Sequence, residues 1–464
     1  QYLRHMETHG TPSRTPNRPK ARVRAEAHQS AKDKIHEVFH KIYKIAHAGR
    51  IILATTASEP CLDGVISTPM GCVPKKEPDQ TVSLDSRLVH DQRFPINELG
   101  SKHDHPPAKQ PVHAQVARTI LYLKGRFPGI PVFLSKIDVD AAFQNLPVAA
   151  DDVCEFATEI PADRLGLDGQ VVALYLCLSF GWVGSPGEYQ IWGTAAQQFF
   201  QAHAPEKPLF NGTHPFANLV LVDDHIHIEV DVGIRKTLST RLGIESIRLF
   251  LGEQAINMDK WGEEGEWSLA KIIWGLLYDA EKCTVALPAP KLVKAAVILS
   301  DPNLDAPLDQ LLIHTLQILR GNGTYWATVQ PMIAPELGVV DKLLGMAREG
   351  SPCVHWTATA QEAANTLEDF RGSIELLRLL VGLPDRWETD FTVALESMLQ
   401  PAERLLIPGA RERVVWVSSD ATLQVYAAID WTNKRYTRQR VEPVYLRLQE
   451  MTGPEDKEII IAIS

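Results

Sequence analysis

Two adjacent carboxylates, Asp223 and Asp224, stand in the stretch from 218 to 229, N-L-V-L-V-D-D-H-I-H-I-E. They lie between a β-branched apolar run and an alternating His-Ile tail, a pattern that predicts two strands joined by a hairpin whose tip carries the acids. Neighbouring carboxylates repel each other, so both remain ionised only beside a strong positive charge such as a divalent metal ion. An ordinary Asp-containing turn is the simpler interpretation of V-D-D alone.

A third carboxylate strengthens the hypothesis of a metal site. The apolar run from 132 to 139 contains Asp138 near its end, and Asp140 follows two residues later. Two strands that carry three carboxylates to one point could hold paired metal ions ~4 Å apart, which clamp an in-line phosphoryl transfer. Oxygen ligands of this kind suit Mg²⁺, with Mn²⁺ as a substitute.

Composition indicates a globular protein. The chain has 464 residues, of which 45% are hydrophobic and 22% charged, enough for about three domains. A net charge of −10 excludes a surface that is basic throughout, but nucleic-acid binding depends on how charge is distributed. The six cysteines are scattered, which predicts reduced thiols in an intracellular protein of the cytoplasm or nucleus. No apolar run is long enough for a membrane span, so no membrane association is expected.

Basic residues are concentrated in the first part of the chain. Residues 1–28, rich in Pro, Arg, Thr and His, predict a flexible basic tail. Apolar residues at three- and four-residue spacing predict one amphipathic helix from 30 to 47. Further on, Lys75, Lys76 and Arg87, with Arg93, lie on two short predicted strands that could face one another as a phosphate grip. Taken alone, these residues are more typical of a solvated surface.

A glycine-rich loop follows the predicted strand at 171–178. Its sequence, S-F-G-W-V-G-S-P-G-E-Y-Q, spans residues 179–190 and includes Gly181 and Gln190. Because helix N-termini attract phosphate, this turn could lie beside a nucleotide, although a plain strand-to-helix connection is the better interpretation of the turn taken alone.

Later segments supply further basic and aromatic residues. Lys260 precedes a predicted strand centred on Trp274 and Gly275, and residues 289–346 predict helices with a break at R-G-N-G, residues 320–323. We expect Lys291 and Lys294 on the first of these helices to contact nucleic-acid phosphates.

The order of these elements resembles the reverse transcriptases of retroelements, with the best matches between residues 64 and 290. S-K-I-D-V-D-A-A-F resembles the strand that carries the first catalytic aspartate of that family. L-S-F-G-W-V-G-S-P-G-E-Y-Q resembles the loop and helix beneath the incoming nucleotide, and L-V-D-D resembles the Y-x-D-D turn. Leu221 stands where the family usually has an aromatic residue, which bears on fidelity or primer contact more than on chemistry.

The resemblance implies roles for particular residues. Asp138, Asp223 and Asp224 would be catalytic and would bind two Mg²⁺ ions. The implied nucleotide-binding residues are Lys75, Lys76, Arg87, Phe143, Gly181, Gln190 and Lys260, and the primer-binding residues are Trp274 and Gly275. Phe143 would exclude a ribose 2′-hydroxyl, with a plain core aromatic as the alternative. The implied partners are an RNA template, a DNA primer and deoxynucleoside triphosphates.

The resemblance also implies a fold class and its domains. The fold would be an α+β right-hand polymerase with an antiparallel palm sheet, followed by a connection and a partial ribonuclease H-like α/β domain. The expected domains are a flexible tail (1–28), fingers (29–130), palm (131–288, with an inserted finger segment at about 150–172), thumb (289–346), connection (347–410) and ribonuclease H-like end (411–464). Asp420 and Glu458 resemble carboxylates of a ribonuclease H domain, which we expect to be truncated and of doubtful activity.

The expected function is therefore that of an RNA-directed DNA polymerase of a retrotransposon-like element. Two alternatives remain: an RNA-templated RNA polymerase, and a catalytically decayed remnant that binds nucleic acid. Phe143 and the ribonuclease H-like domain favour DNA synthesis. The expected truncation of that domain and the net negative charge of the chain favour a remnant. The sequence leaves the oligomeric state open.

Overall fold

The computed structural model divides the chain into two compact units, Gln1–Met398 and Leu399–Ser464. The residues that the structure describes are 1–55, 62–76, 82–93, 95–161, 163, 171–204, 215–346, 351–355, 359–404, 406–409, 417–421, 425–430 and 435–440.

Helices occur throughout the described part of the first unit, and a short one begins the second. In chain order they are α1 (Tyr2–His9), α2 (Gln29–Asp33), α3 (Ile35–His47), α4 (Ile96–Leu99), α5 (His113–Arg126), α6 (Ser185–Ala202), α7 (Arg235–Leu251), α8 (Met258–Glu264), α9 (Ala289–Leu299), α10 (Ile313–Trp326), α11 (Ile333–Glu336), α12 (Gly338–Leu344), α13 (Ala360–Val381), α14 (Trp387–Asp390) and α15 (Pro401–Arg404). None of these described helices is long and apolar enough to cross a membrane.

The described strands have three to nine residues each, and the last three follow the last described helix. They are β1 (Ile51–Thr55), β2 (Met70–Lys76), β3 (Val82–His90), β4 (Val132–Asp138), β5 (Ala157–Ile160), β6 (Val171–Tyr175), β7 (Ala217–Leu221), β8 (Asp224–Val230), β9 (Ala270–Ile273), β10 (Leu276–Asp279), β11 (Thr284–Ala286), β12 (Thr392–Ala394), β13 (Val417–Ala421), β14 (Val425–Asp430) and β15 (Arg435–Arg440).

Antiparallel pairing builds every sheet of the described residues. In the first unit the strand orders are β1-β6-β5, β2-β3, β4-β8-β7 and β12-β11-β10-β9. The second unit contains the sheet β13-β14-β15. This mixed α/β architecture with antiparallel sheets agrees with the class predicted from the sequence.

The sheet β4-β8-β7 is a buried platform. Its middle strand, β8, is buried at every position after the first, because it has a strand on each side and helices packed over it. Helices α6 and α7 contact each other, α6 also contacts β7, α7 contacts β8, and α5 contacts β4 and β8. A platform enclosed in this way can hold side chains at its end in fixed positions.

Two predicted helices differ in the structure. The single helix expected from 30 to 47 is divided at Lys34, whose backbone (φ −114°, ψ 35°) lies outside the helical region. The predicted helix break at 320–323 is wrong, because α10 runs through it. Gly323 serves close packing there, since a Cβ atom on it would lie 2.6 Å from a methyl group of Leu337.

The N-terminal segment (residues 1–28) has defined contacts where its composition predicts a flexible tail. Its helix α1 buries Met6, which is 1% exposed. Thr11 forms a parallel bridge with Val148, and the backbone amide of Val23 donates to the carbonyl of Val65 at 2.9 Å. Composition detects the lack of apolar periodicity in this segment, but not the acidic surface on which it lies.

The second unit contains the predicted strand with Asp420. This residue lies on β13 opposite Ala427 of β14, so the hairpin expected after the strand is confirmed. Glu458 lies outside the described residues, and the ribonuclease H-like character of this unit stays a prediction.

Candidate active site

The three acids meet at one end of the β4-β8-β7 sheet. Asp138 ends β4 and is paired in register with Asp224, the first residue of β8. Leu221, at the end of β7, is also paired with Asp224, so Val222 and Asp223 form a two-residue hairpin turn. The amide of Val139 donates to the carbonyl of Asp223 at 2.8 Å and ties the turn to the chain beyond β4. The predicted hairpin with its acidic tip is therefore confirmed.

The hairpin turn holds an unfavourable backbone conformation. Val222 has a φ of 50°, in the left-handed region that a β-branched residue rarely adopts. Such a conformation costs about 1–3 kcal/mol and persists only where surrounding structure imposes it. The antiparallel pairing on both sides of the turn imposes it here.

Asp138 is held by two side chains of a neighbouring segment. Its carboxylate accepts from Lys260 Nζ at 2.9 Å and from Asn257 Nδ2 at 3.1 Å. The backbone amide of Asn257 also donates to the carbonyl of Asp138 at 3.0 Å. With the side chain only 6% exposed, these bonds fix the orientation of the carboxylate. Lys260 was predicted to be at the site, and Asn257 was not.

Asp224 shares a cation with another acid. Lys136 Nζ lies 2.9 Å from Asp224 and 2.8 Å from Glu264. Burial raises the pKa of Asp224, and the hydrogen bond from Lys136 opposes this effect without cancelling it. Burial tends to lower the pKa of Lys136, but its bonds to Glu264 and Asp224 outweigh burial and raise it.

Asp223 has the least compensation of the three acids. Burial raises its pKa, and the charges of Asp224 and Asp138 raise it further, while a hydrogen bond from its own backbone amide and the charge of Lys260 lower it without cancelling the rise. It makes no ion pair with any side chain in the part of the chain that the structure describes. The turn is therefore short of positive charge.

The donor chemistry fits Mg²⁺. Among the described residues no group of three or more His, Cys, Asp or Glu side chains is arranged to hold a metal ion. Mg²⁺ commonly uses only one or two carboxylates together with water and substrate phosphates. Asp138 and Asp223 supply that number of oxygen-bearing side chains, and the missing positive charge at Asp223 is what a cation would provide.

A row of aromatic rings leads away from the carboxylates. Tyr189 feels the charges of Asp223 and Asp138, which add to burial in raising its pKa. Its ring meets Phe143 edge-on at 5.6 Å, and Phe143 meets Phe180 at 4.7 Å between centroids. Phe143 is 6% exposed, whereas Phe180 is 50% exposed. Phe180 is thus the exposed end of the row, a position that the phenylalanine of S-F-G-W could have indicated.

The loop before α6 requires its first glycine. Gly181 has a φ of +100°, and a Cβ atom on it would lie 2.5 Å from the carbonyl oxygen of His90. Gln190, in the first turns of α6, donates to Thr194 Oγ1 at 3.2 Å. The structure thus explains Gly181 by backbone geometry, and among the described residues the side-chain partner of Gln190 lies within its own helix.

The predicted phosphate grip is only partly described. Lys75 and Lys76 lie on β2, and their side chains are outside the described residues. Arg87 is an exposed residue of β3, opposite Val73 of β2. Arg93 forms a local ion pair with Asp91 at 2.7 Å, which accounts for its charge without a ligand.

Trp274 and Gly275 form a hairpin turn instead of the predicted middle of a strand. Both have positive φ, 48° and 87°, and they join β9 to β10. Together with Lys291, Lys294 and residues of α10 they line a cleft of about 410 Å³. The structure therefore brings the predicted primer-binding pair beside the two lysines expected to contact phosphates.

Comparison with known proteins shows the fold. No family model matches the sequence, and no curated protein matches it. Among solved structures, the chain is similar to the foamy viral protease-reverse transcriptase dRH in complex with ds DNA, at 15% identity and a TM-score of 0.51, over 95% of this chain and 63% of that one.

Two related structures give similar values. They are the foamy viral protease-reverse transcriptase with an RNA/DNA hybrid (15% identity, TM-score 0.49, 95% of this chain and 48% of that one) and with dsDNA (16%, 0.49, 95% and 72%). The similarity to the dRH complex with ds DNA shows that the chain has a reverse-transcriptase-like fold, and the chain spans less than two thirds of that protein.

Proposed function

We propose that the chain is an RNA-directed DNA polymerase of a retrotransposon-like element. It would extend a DNA primer on an RNA template with deoxynucleoside triphosphates. The observation that carries the proposal is the meeting of Asp138, Asp223 and Asp224 at one end of a buried sheet within a reverse-transcriptase-like fold.

The carboxylates suit phosphoryl transfer because of their orientation and charge. Asp138 and Asp223 would hold two Mg²⁺ ions, with Asp224 beside them. When bound, the ions supply the charge that activates a primer 3′-hydroxyl and neutralises the departing pyrophosphate. Asn257 fixes the carboxylate of Asp138, and Lys260, half exposed, adds a positive charge at the place where a triphosphate would approach.

The aromatic row would line the sugar of the incoming nucleotide. Phe143 and Phe180 are in contact, and the more exposed Phe180 would meet the ligand first, with Phe143 behind it. Gly181 and Gln190 continue the same loop and helix. Lys75, Lys76 and Arg87 on the β2-β3 hairpin would contact the triphosphate.

The cleft beside Trp274 and Gly275 would receive the primer. Lys291 and Lys294 line it, and such cations attract the phosphates of a nucleic acid backbone. The names palm, fingers and thumb would then apply to the sheet β4-β8-β7, the β2-β3 region and helices α9 to α12.

Primer extension on poly(rA)·oligo(dT) with Mg²⁺ tests the proposal. The parent should incorporate dTTP. Asp138→Asn should lower the rate of incorporation on the order of 10³-fold, which is the effect of removing one preorganised electrostatic partner of the transition state. Asp231→Asn is a matched control, since Asp231 is exposed and pairs with Lys236 beyond the far end of β8. Phe143→Val in the same assay should raise ribonucleotide use relative to deoxynucleotide use.

The same assay separates the alternatives. An RNA-templated RNA polymerase would prefer ribonucleotides in the parent. A decayed remnant would bind the primer–template and extend nothing. Either result, or an Asp138→Asn variant as active as the parent, would overturn the proposal.

A further inference from the structure

Glu188 is a buried carboxylate at the start of α6, and two other segments of the chain supply its partners. It is 0% exposed. The hydroxyl of Tyr2 donates to Oε2 at 2.7 Å, and Nδ1 of His105 lies 2.9 Å from Oε1. Arg14 Nε lies 3.5 Å from Oε1. A carboxylate is costly to bury unless it is paired in this way, so its partners fix its position.

Two of these partners come from the N-terminal segment, which is itself docked. Backbone bonds of 2.8 and 2.9 Å join Thr11 to residues 147 and 149. Gly10 permits this approach, because a Cβ atom on it would lie 2.5 Å from the carbonyl oxygen of Val148. Tyr2 and Arg14 therefore reach Glu188 from a fixed backbone.

Residues 105 and 106 also pack against the start of α6. The ring of His105 meets Trp182 edge-on at 4.8 Å between centroids. A Cβ atom on Gly187 would lie 1.9 Å from the carbonyl oxygen of Pro106. The helix thus begins between two segments distant in sequence, and Glu188 bonds to both.

Tyr189 links Glu188 and its partners to the carboxylates of the candidate active site. It follows Glu188 directly and is 1% exposed. Its ring lies against Phe143, close to Asp138 and Asp223. A movement of the first turn of α6 would therefore move Tyr189 and, through it, Phe143.

We propose that Glu188 is a positioning residue, which the N-terminal segment and His105 hold so that α6 presents Tyr189 and Phe143 correctly to the incoming nucleotide. The part concerning the nucleotide rests on the proposed polymerase function. In this arrangement the basic N-terminal segment acts as a component of the active-site framework. Small displacements matter there, since a shift of ~1 Å can cost as much as 10²-fold in rate.

Tyr2→Phe in the full chain tests the proposal, because it deletes one hydroxyl and keeps the ring. Tyr43→Phe is the matched control, since Tyr43 is 60% exposed on α3. We expect faster hydrogen exchange of α6 peptides covering residues 185–190. The KM for dTTP should rise by about 3- to 10-fold, which is less than the loss of activity that typically follows the removal of a side chain supporting a metal ligand. Glu188→Gln should give a larger change in the same direction, while Tyr43→Phe should match the parent.

The outcomes are distinguishable. Unchanged exchange and unchanged KM in Tyr2→Phe and Glu188→Gln would overturn the proposal. Faster exchange with a lower Tm and kcat but the parental KM would show a merely structural contact and would also overturn it. If the parent extends no primer, the polymerase function fails, while the exchange of residues 185–190 still decides whether Glu188 anchors α6.

Discussion

Two groups of carboxylates in the first unit, one buried and one half-buried, obtain their counter-charges differently. Glu155 and Glu159 are 0% and 5% exposed, respectively, and both form ion pairs with arginines of the N-terminal segment. These contacts are Arg18 with Glu155, and Arg22 and Arg24 with Glu159 at 2.9 and 3.0 Å. At the hairpin turn, by contrast, Asp223 has no ion pair among the described residues, and Asp224 shares its lysine with another acid.

The difference indicates which acids are available to a ligand. Burial raises the pKa of Glu155 as it does that of Asp223, so the direction of the shift does not separate the two groups. Their partners do. Glu155 is bonded to Ser13 and Thr15 as well as to Arg18, and it has no need of an external cation. Asp223 has no ion pair among the described residues, and this is why we propose that it takes a cation.

The largest expected effect is at Asp223. Its raised pKa means that the folded protein binds the proton more tightly than the unfolded chain, so the ionised group opposes folding at neutral pH. Asp223→Asn should therefore raise the Tm in EDTA by about 1–2 °C. It should also lower primer extension on the order of 10³-fold.

Thermal unfolding with and without Mg²⁺ checks this prediction. Bound ions stabilise the folded state by mass action, so Mg²⁺ should raise the Tm of the parent more than that of Asp223→Asn. An equal Mg²⁺ effect on both proteins would mean that the ions bind elsewhere, and the comparison of the two acidic groups would lose its basis.

A smaller effect is expected at Arg18, on the other side of the comparison. Arg18→Ala should lower the free energy of unfolding, because it leaves Asp152 and Glu155 buried without their main cation. Loss of a fully buried partner costs about 3–5 kcal/mol, and since Arg18 is 35% exposed we expect about 2 kcal/mol after solvent screening.

Urea unfolding measures the effect of Arg18. Arg241→Ala is the control, since that residue forms an exposed pair with Glu245 within one helix. If both variants unfold at the same urea concentration, the ion pairs of Arg18 stabilise the fold no more than an exposed surface pair does. The triple variant with Asp152→Asn and Glu155→Gln should regain part of the loss, because it removes the unpaired charges.

Local signals in the sequence predicted the centre of the site, and distant contacts account for what was missed. Alternating apolar residues around Asp223 specify a hairpin without reference to the rest of the chain. The arginines of the N-terminal segment meet acids more than a hundred residues away, and no local pattern marks such a pairing. Trp274 and Gly275 lie within a continuous apolar run, so only their positive φ angles reveal a turn.

The smallest expected effect concerns a buried group that stays neutral. Both ring nitrogens of His227 are without a hydrogen-bond partner among the described residues, and its ring meets Phe200 edge-on at 4.7 Å. Burial, with a minor contribution from His225, lowers its pKa to about 3. Because the folded pKa lies below that of the unfolded chain, stability is complete above pH ~6.5 and falls as the pH drops from there towards 3.

His227→Leu should remove this acid sensitivity, because leucine fills a similar space and takes up no proton. The parent should lose about 1 kcal/mol of unfolding free energy between pH 7.5 and 5.5 through this group, and the variant should lose less by that amount. Urea unfolding at the two pH values measures it, with His203→Leu as the control, since His203 is exposed and directly follows α6. If His227→Leu and the parent share one pH dependence, His227 is protonated or solvated in the folded protein. Buried and half-buried groups without an ion-pair partner would then not divide into those that take a cation, as we propose for Asp223, and those that stay neutral.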